Sequence, residues 1–596
     1  MSPAKSSKRP VASAAGIPRM PSILEWGILA AIELLVIVMV KSAGLRRGLE
    51  LMPWPDGLEY AASAMNLAAG RGAVLHFGGY SYPSRYTAGY PLILAFFHSV
   101  FGEHLPLLFA SLFLGMLSVF GMFMLVRRPF GRAAGTIAAL TLALSPVFIT
   151  YSSLVMSDVP TLFVTICAAL MLVLATSDYA TQSPSWMRMS AWLMFGLFAG
   201  FSTIIRPTNI TLLAGLALCV VMVPLERRDL ASLLKAAIAI AIGFAIPVAW
   251  QLHQNAINLG SAFASGYAWW VPEVYGAGGR TFSAAYLFGP TMPRNPHGNV
   301  LVYATTMLGL DGMLGDPGDS RYFLYPFAAA AFAIVGFIAI LGAPGRTTAR
   351  RLMWFGLGYL VALTGLYCFY LFTDVAFILP AAFVLFIAAG AGAAAANRWM
   401  RDVLRNRNRS AGQFAAAAAV IVLDLLLVVS LASEVVVRLS ARPADSVMVA
   451  SLRSVDSALP PGATVVSNIS LQFLELYLPA KNLRFVGLNS LDPDEQFTDY
   501  HLHRLYEKRA AGWNGTVPPV VFDGSQMSAE ADSLASAISA NTPVYLLIAA
   551  PESDDYAAVL KTELDQLQEK FTIEPVSQNK SAALYRLTAR NQPTTQ

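Results

Sequence analysis

The sequence predicts a mostly α-helical membrane protein with about eleven transmembrane helices and a C-terminal extracytoplasmic α/β domain. Three observations carry this. Of the 596 residues, 56% are hydrophobic and 13% charged, where a soluble chain carries about 25% charged residues. Apolar runs of about 20 residues, the length that spans a bilayer, recur between residues 23 and 435. After about residue 439 the composition changes to that of a soluble domain.

The elements follow in order. Residues 1–20 are basic and rich in Ser, Ala and Pro, which reads as a disordered cytosolic tail. The next apolar run is long and lacks a small-residue cleavage site, so it reads as an anchor. Spans fall at roughly 23–44, 105–127, 133–152, 157–176, 189–206, 208–225, 231–251, 323–343, 352–372, 376–396 and 413–435. Loop charge sets their direction. Arg127, Arg128 and Arg132, then Arg188, then Arg227 and Arg228 fall on one side. Arg346, Arg350 and Arg351 join them, as do Arg398, Arg401, Arg405, Arg407 and Arg409. The positive-inside rule makes that side cytosolic. The tail is then inside, and loops 45–104 and 252–322 and residues 439–596 are outside. This pattern belongs to the cytoplasmic membrane, and the net charge of +5 is no nucleic-acid signal. Cys167, Cys219 and Cys368 lie in apolar runs without a C-x-x-C pair, so neither a disulfide framework nor a zinc–cysteine site is indicated.

In the first outer loop, Leu58–Ala69 is amphipathic and is expected to lie flat in the interface. The second outer loop is rich in aromatics, Gly and Pro, including Tyr267, Trp269, Trp270, Tyr275 and Tyr286. In the C-terminal region, Ala463–Ser467 and Pro543–Ala549 read as buried strands. Asp554–Lys570 reads as an amphipathic helix and Ala582–Leu587 as a closing strand. That region has no Gly-rich phosphate loop and no nucleophile elbow.

Chemistry concentrates at the outer face. In Pro53-Trp54-Pro55-Asp56-Gly57-Leu58-Glu59-Tyr60, a helix starting after Pro55 points Asp56 and Glu59 to one face. Such a pair suits general-base work or binding of a metal or sugar, and equally an acidic first turn. Asp158, in Ser157-Asp158-Val159-Pro160, lies on the same membrane face as a second acid or a helix cap. Arg206, before Pro207, is a basic residue on the acidic side, suited to phosphate or to snorkelling. Arg85 suits a ligand phosphate or a pair with Glu59. Glu33 and Asp424, inside the first and last spans, read as helix–helix hydrogen-bonding groups. His76, His253 and His297 are isolated.

These motifs, in this order, resemble the GT-C integral-membrane glycosyltransferases, the branch of protein O-mannosyltransferases and the lipid A aminoarabinose transferase. The likeness begins at Asp56-Gly57-Leu58-Glu59-Tyr60 and continues through Ala68–Gly72, Gly89–Ala95 and Phe101-Gly102. Ser145-Pro146 with Ser157–Pro160 matches a second acidic turn. Asp374–Pro380 matches a late R-Y-x-x-P segment, except that Ala376 and Phe377 replace Arg-Tyr. The resemblance covers roughly residues 20–435. It implies a GT-C fold and transfer of a sugar from a polyprenyl-phosphate donor to a glycan, lipid or protein acceptor outside the cytosol. It implies Asp56 as general base and Asp158 as a second catalytic residue that positions the acceptor, the two holding a divalent metal where the enzyme uses one. Glu59, Tyr60, Arg85, Tyr86, Arg206, Trp269, Trp270, Arg280 and Arg294 would bind substrate, with the loop around Trp269–Arg294 closing over the donor. A transporter or lipid flippase would show internal repeats, and none stands out. A non-catalytic scaffold would leave the Asp56 and Asp158 motifs without a use.

Overall fold

The structure is a computed structural model. It describes residues 22–590 apart from 44–55, 78–79, 103–104, 177–183, 224–229, 271, 277, 292–295, 311–323, 343–346, 406–409, 441–451, 453–454, 470–473, 475, 479–480, 482, 488–542, 550–553 and 579–581. The N-terminal tail and Arg294 lie outside the described residues.

Among the described residues each of the eleven apolar runs contains helix, though not each is one long helix. The chain begins with α1 (Ile23–Ala43), whose 21 residues give about 30 Å of helix. Two helices of the first outer loop follow, α2 (Asp56–Ala68) and α3 (Gly89–Phe101), separated by the hairpin β1 (Val74–Phe77) and β2 (Tyr80–Pro83). Next come α4 (Leu105–Phe130), α5 (Arg132–Ala143), α6 (Pro146–Ser152), α7 (Asp158–Thr176) and α8 (Ser185–Ile205). The predicted span 133–152 is broken into α5 and α6, bent by 63° at Ser145-Pro146, because proline cannot continue the hydrogen-bond ladder. A 3₁₀ turn (Pro207–Thr211) leads into α9 (Leu212–Met222), followed by α10 (Leu230–Leu259). The second outer loop holds α11 (Gly266–Trp270), α12 (Pro272–Tyr275) and α13 (Asn299–Met307). Then come α14 (Phe327–Leu341), α15 (Thr347–Cys368), α16 (Leu379–Arg405) and α17 (Ala411–Ser440).

Among the described residues, seven helices are long and apolar enough to cross a membrane, or eight with the bent α5–α6 pair as one span. The segments Gly89–Phe101, Pro207–Met222 and Phe327–Leu341 are shorter apolar helices. The protein is a multi-pass, mostly helical membrane protein. Its centre is α16, with 94% of its apolar stretch buried. The Ala- and Gly-rich run Ala388–Ala396 lets α5 and α14 approach it closely. By contrast α10 and α17 are only 22% and 11% buried and form the periphery.

Two local details come from the packing. The apolar face of Leu58–Ala69 is turned into the protein: Leu58, Tyr60, Ala61 and Ala64 are buried in one apolar cluster with Tyr90 and Leu94 of α3. The helix at 231–251 runs on to Leu259. Its extra turns are polar but partnered: Asn255 Oδ1 accepts from Gln251 Nε2 at 2.7 Å, and Asn258 Nδ2 donates to Ala73 O at 3.4 Å. Hydropathy marks where apolarity ends, not where the helix ends.

Of the two intramembrane acids, Asp424 accepts from Asn397 Nδ2 of α16 at 3.1 Å, as expected. Glu33 does not follow: both its carboxylate oxygens are buried without a hydrogen-bond partner among the described residues. At one end of the bundle Glu25 pairs with Arg127 (2.9 Å) and Arg132 (2.8 Å), tying α1 to the α4–α5 turn.

The C-terminal region forms a five-stranded sheet with order β4-β3-β5-β7-β6. The strands are β3 (Thr464–Ser467), β4 (Arg484–Gly487), β5 (Val544–Ala549), β6 (Phe571–Gln578) and β7 (Ala582–Ala589), with α18 (Asp554–Lys570) between β5 and β6. β3 runs parallel to β4 and β5, while β7 is antiparallel to β5 and β6. Its apolar core, including Leu452, Val455, Val465 and Leu584, is continuous with that of α2 and α3.

Candidate active site

The site lies at the end of the bundle opposite Glu25, where two ion pairs face a cavity of about 790 Å³. The first pair is built on α2. Asp56 opens the helix, and Glu59 follows one turn later on the same face. The hairpin β1–β2 delivers Arg85 between them. Arg85 Nε donates to Glu59 Oε2 at 2.9 Å, and its Nη2 reaches Asp56 Oδ1 at 3.1 Å and Tyr86 OH at 3.1 Å. Glu59 is fully buried. Its Oε1 accepts from Ser84 Oγ at 3.0 Å and from the Arg85 amide at 2.5 Å. Burial lifts the Glu59 carboxyl above the usual carboxylate range, while the Arg85 guanidinium pulls it back down. Asp56 is different: its side chain is 31% exposed and opens on the cavity. Among the described residues its Oδ2 has no hydrogen-bond partner.

The second pair is Arg206–Asp158. Pro207 ends α8 and leaves Arg206 in an extended conformation at the head of the 3₁₀ turn. There Arg206 Nη1 bonds to Asp158 Oδ1 at the start of α7, and its Cζ sits 5.1 Å above the Phe377 ring. Asp158 is fully buried, and its Oδ2 is without a hydrogen-bond partner among the described residues. Tyr60 OH donates to Ser157 Oγ at 3.3 Å and so links the two pairs.

Close backbone approaches hold the parts together. A Cβ on Gly89 would lie 2.5 Å from Ile204 O, just before Arg206. A Cβ on Gly266 would lie 2.1 Å from Ser84 O, beside Arg85. Only glycine admits either contact. Trp270 Nε1 donates to Pro83 O at 2.7 Å and fixes the same segment.

The cavity wall between the arginines is aromatic. Tyr60 stacks on Tyr86 at 4.2 Å, and Tyr267 follows at 5.6 Å and Tyr275 at 4.8 Å beyond it. Tyr367, Tyr370 and Phe377 complete the far side. Burial raises the Tyr86 and Tyr267 phenols well above their ordinary range, so they stay protonated as donors.

Of the residues singled out by sequence, Asp56, Tyr60, Arg85, Tyr86 and Arg206 line the cavity. Glu59 and Asp158 stand behind the arginines and do not line it. Trp269, Trp270 and Arg280 do not line it either: Trp270 is wholly buried with Trp269 packed edge-on against it, and Arg280 is exposed. The sequence reasoning passed over Asp374 and Tyr151 as site residues. Asp374 lines the cavity, caps the 3₁₀ helix 375–378 through the Ala376 amide at 2.8 Å, and accepts from Tyr151 OH. The usable signal was an acid standing just before a span on the acidic face. Among the described residues no group of three or more His, Cys, Asp or Glu comes together as a metal site. Asp56 and Asp158, which would hold a divalent metal if the enzyme used one, are each bonded to their own arginine.

Comparison with known proteins places this architecture. ArnT from Cupriavidus metallidurans, solved bound to undecaprenyl phosphate, superposes with a TM-score of 0.58 at 15% identity, over 95% of this chain and 98% of that one. AglB from Archaeoglobus fulgidus, an oligosaccharyltransferase solved with an inhibitory peptide and a dolichol-phosphate, gives 0.51 at 12% identity, over 96% and 75%. The chain thus has the fold of the GT-C glycosyltransferases. Within it, residues 87–251 match the dolichyl-phosphate-mannose-protein mannosyltransferase family model, a stretch that includes Asp158 and Arg206. No curated protein matches the sequence.

Proposed function

We propose that this protein transfers a sugar from a polyprenyl-phosphate-linked donor to an acceptor hydroxyl at the outer face of the cytoplasmic membrane, by inverting single displacement. The observation that carries this reading is that an open carboxylate, Asp56, and a separate guanidinium, Arg206, line one cavity. Arg85 holds Asp56 Oδ1 and leaves Oδ2 for the acceptor. The acceptor hydroxyl gives its proton to Asp56 as its oxygen bonds to the anomeric carbon. The bond from that carbon to the phosphate oxygen breaks, and its electron pair leaves with the phosphate. The carrier phosphate gains one negative charge, which Arg206 faces in a partly desolvated site. The aromatic wall offers ring faces and phenolic donors to the sugar. In this reading the N-terminus is cytosolic and the C-terminal domain, outside, shapes access of a glycan, lipid or protein acceptor.

The test is Asp56→Asn, which keeps shape and removes the base. Undecaprenyl phosphate should bind the variant as it binds wild type, while single-turnover transfer falls by about 10²-fold or more. Near wild-type transfer by folded variant would sink the general-base assignment.

A further inference from the structure

We infer that Asn299 is a positioning residue for this reaction, fastening the second outer loop to the cavity wall beside Arg206. The inference rests on the donor reading above for its functional half. Asn299 is fully buried at the start of α13 and does not line the cavity. Its Nδ2 donates to the carbonyls of Tyr367 (3.0 Å) and Tyr370 (2.7 Å), with that of Cys368 at 3.4 Å. Tyr367 and Cys368 close α15 and Tyr370 follows it, the Tyr367 carbonyl accepting also from the Tyr370 amide at 3.1 Å, so Asn299 ties the end of the helix to the segment after it. Its Oδ1 accepts from Thr373 Oγ1, which in turn lies 2.5 Å from Thr291 Oγ1.

The chain has one consistent proton order. Asn299 has only its oxygen to accept with, so Thr373 must donate to it. Thr373 has one hydroxyl proton, so Thr291 must donate to Thr373. One turn further along α13, Tyr303 OH donates to Asp374 O at 3.4 Å from the same helix face. The loop is also bridged to this segment by backbone, Ser283 N to Phe369 O at 2.8 Å and Leu371 N to Thr281 O at 2.9 Å.

The fastened segment carries Tyr370, Thr373 and Asp374 on the cavity wall and leads into Phe377, the ring under Arg206. Releasing it shifts the surface against which Arg206 is held. A displacement of about 1 Å in such a wall costs on the order of 10²-fold in rate. The loop then acts as a fixed wall rather than a cover that closes over the donor.

The test compares Asn299→Ala, Thr291→Val and Thr291→Ser with wild type in detergent. Amide exchange of residues 367–377 should quicken at least tenfold in Asn299→Ala and Thr291→Val. Thr291→Ser, which restores the hydroxyl, should return it to the wild-type rate. Undecaprenyl phosphate should bind Asn299→Ala about tenfold more weakly, and donor KM should rise with acceptor KM unchanged. A purely structural role would lower the thermal midpoint and leave donor KM alone. Unchanged exchange in both Asn299→Ala and Thr291→Val overturns the fastener. Faster exchange with unchanged donor binding overturns its part in the reaction. Wild type that does not bind undecaprenyl phosphate overturns the donor reading itself, and the exchange rates still decide the fastener.

Discussion

Removing Arg206 should damage the protein twice, and the two losses can be separated. Asp158 is fully buried, and Arg206 is its one ion-pair partner among the described residues. Arg206→Ala leaves that carboxylate as an uncompensated buried charge, which costs about 3–5 kcal/mol. It also removes the guanidinium proposed to face the carrier phosphate, a charge-assisted hydrogen bond of about 1.5–3 kcal/mol. The expected loss of donor affinity is therefore about ten- to a hundredfold. The double variant Arg206→Ala/Asp158→Asn removes the orphan charge together with its partner. It should recover most of the stability, measured as the thermal midpoint in detergent, and recover none of the affinity for undecaprenyl phosphate. If the double variant bound undecaprenyl phosphate like wild type, Arg206 would be only the counterion of Asp158. The phosphate assignment would then be lost while the fold argument survived.

Other perturbations follow from the same geometry. Glu59→Gln puts an amide where Arg85 Nε needs an acceptor, so Arg85 and with it Asp56 should lose their orientation; transfer should fall about 10²-fold with undecaprenyl phosphate still bound. Gly266→Ala forces a Cβ against Ser84 O and should cripple transfer, whereas Gly27→Ala, which meets nothing within 4 Å, should leave it intact. Cysteines placed at Ser410 and Ser440 should label from opposite sides of the membrane, Ser440 from outside; labelling of Ser440 from the cytosolic side would rule out both the eleven-span count and the proposed face for the site.

The sequence by itself determined the helices and the chemistry at their ends. An apolar run of about 20 residues has no stable alternative to a helix in a bilayer, because its backbone must bond within itself. Hence α1, α7 and α17 fall where hydropathy put them. Asp56 and Asp158 at helix starts and Arg206 before Pro207 were legible for the same local reason. The strands Thr464–Ser467 and Val544–Ala549 were legible as short buried runs. What only the tertiary structure decided is which charge meets which. Arg85 could serve a phosphate or Glu59 on sequence grounds; the hairpin and Gly266 place it between Glu59 and Asp56 at once. Glu59 and Asp158 looked like ligand contacts and instead stand behind their arginines, because each is buried by elements far along the chain. Asp374 and Asn299 carried no periodic signal at all. Their partners, Tyr151 and the carbonyls of Tyr367 and Tyr370, lie between 68 and 223 residues away. Such contacts are set by how α13, α15 and α16 pack. Local propensity reports only the run a residue belongs to, and these pairings arise where separate runs end.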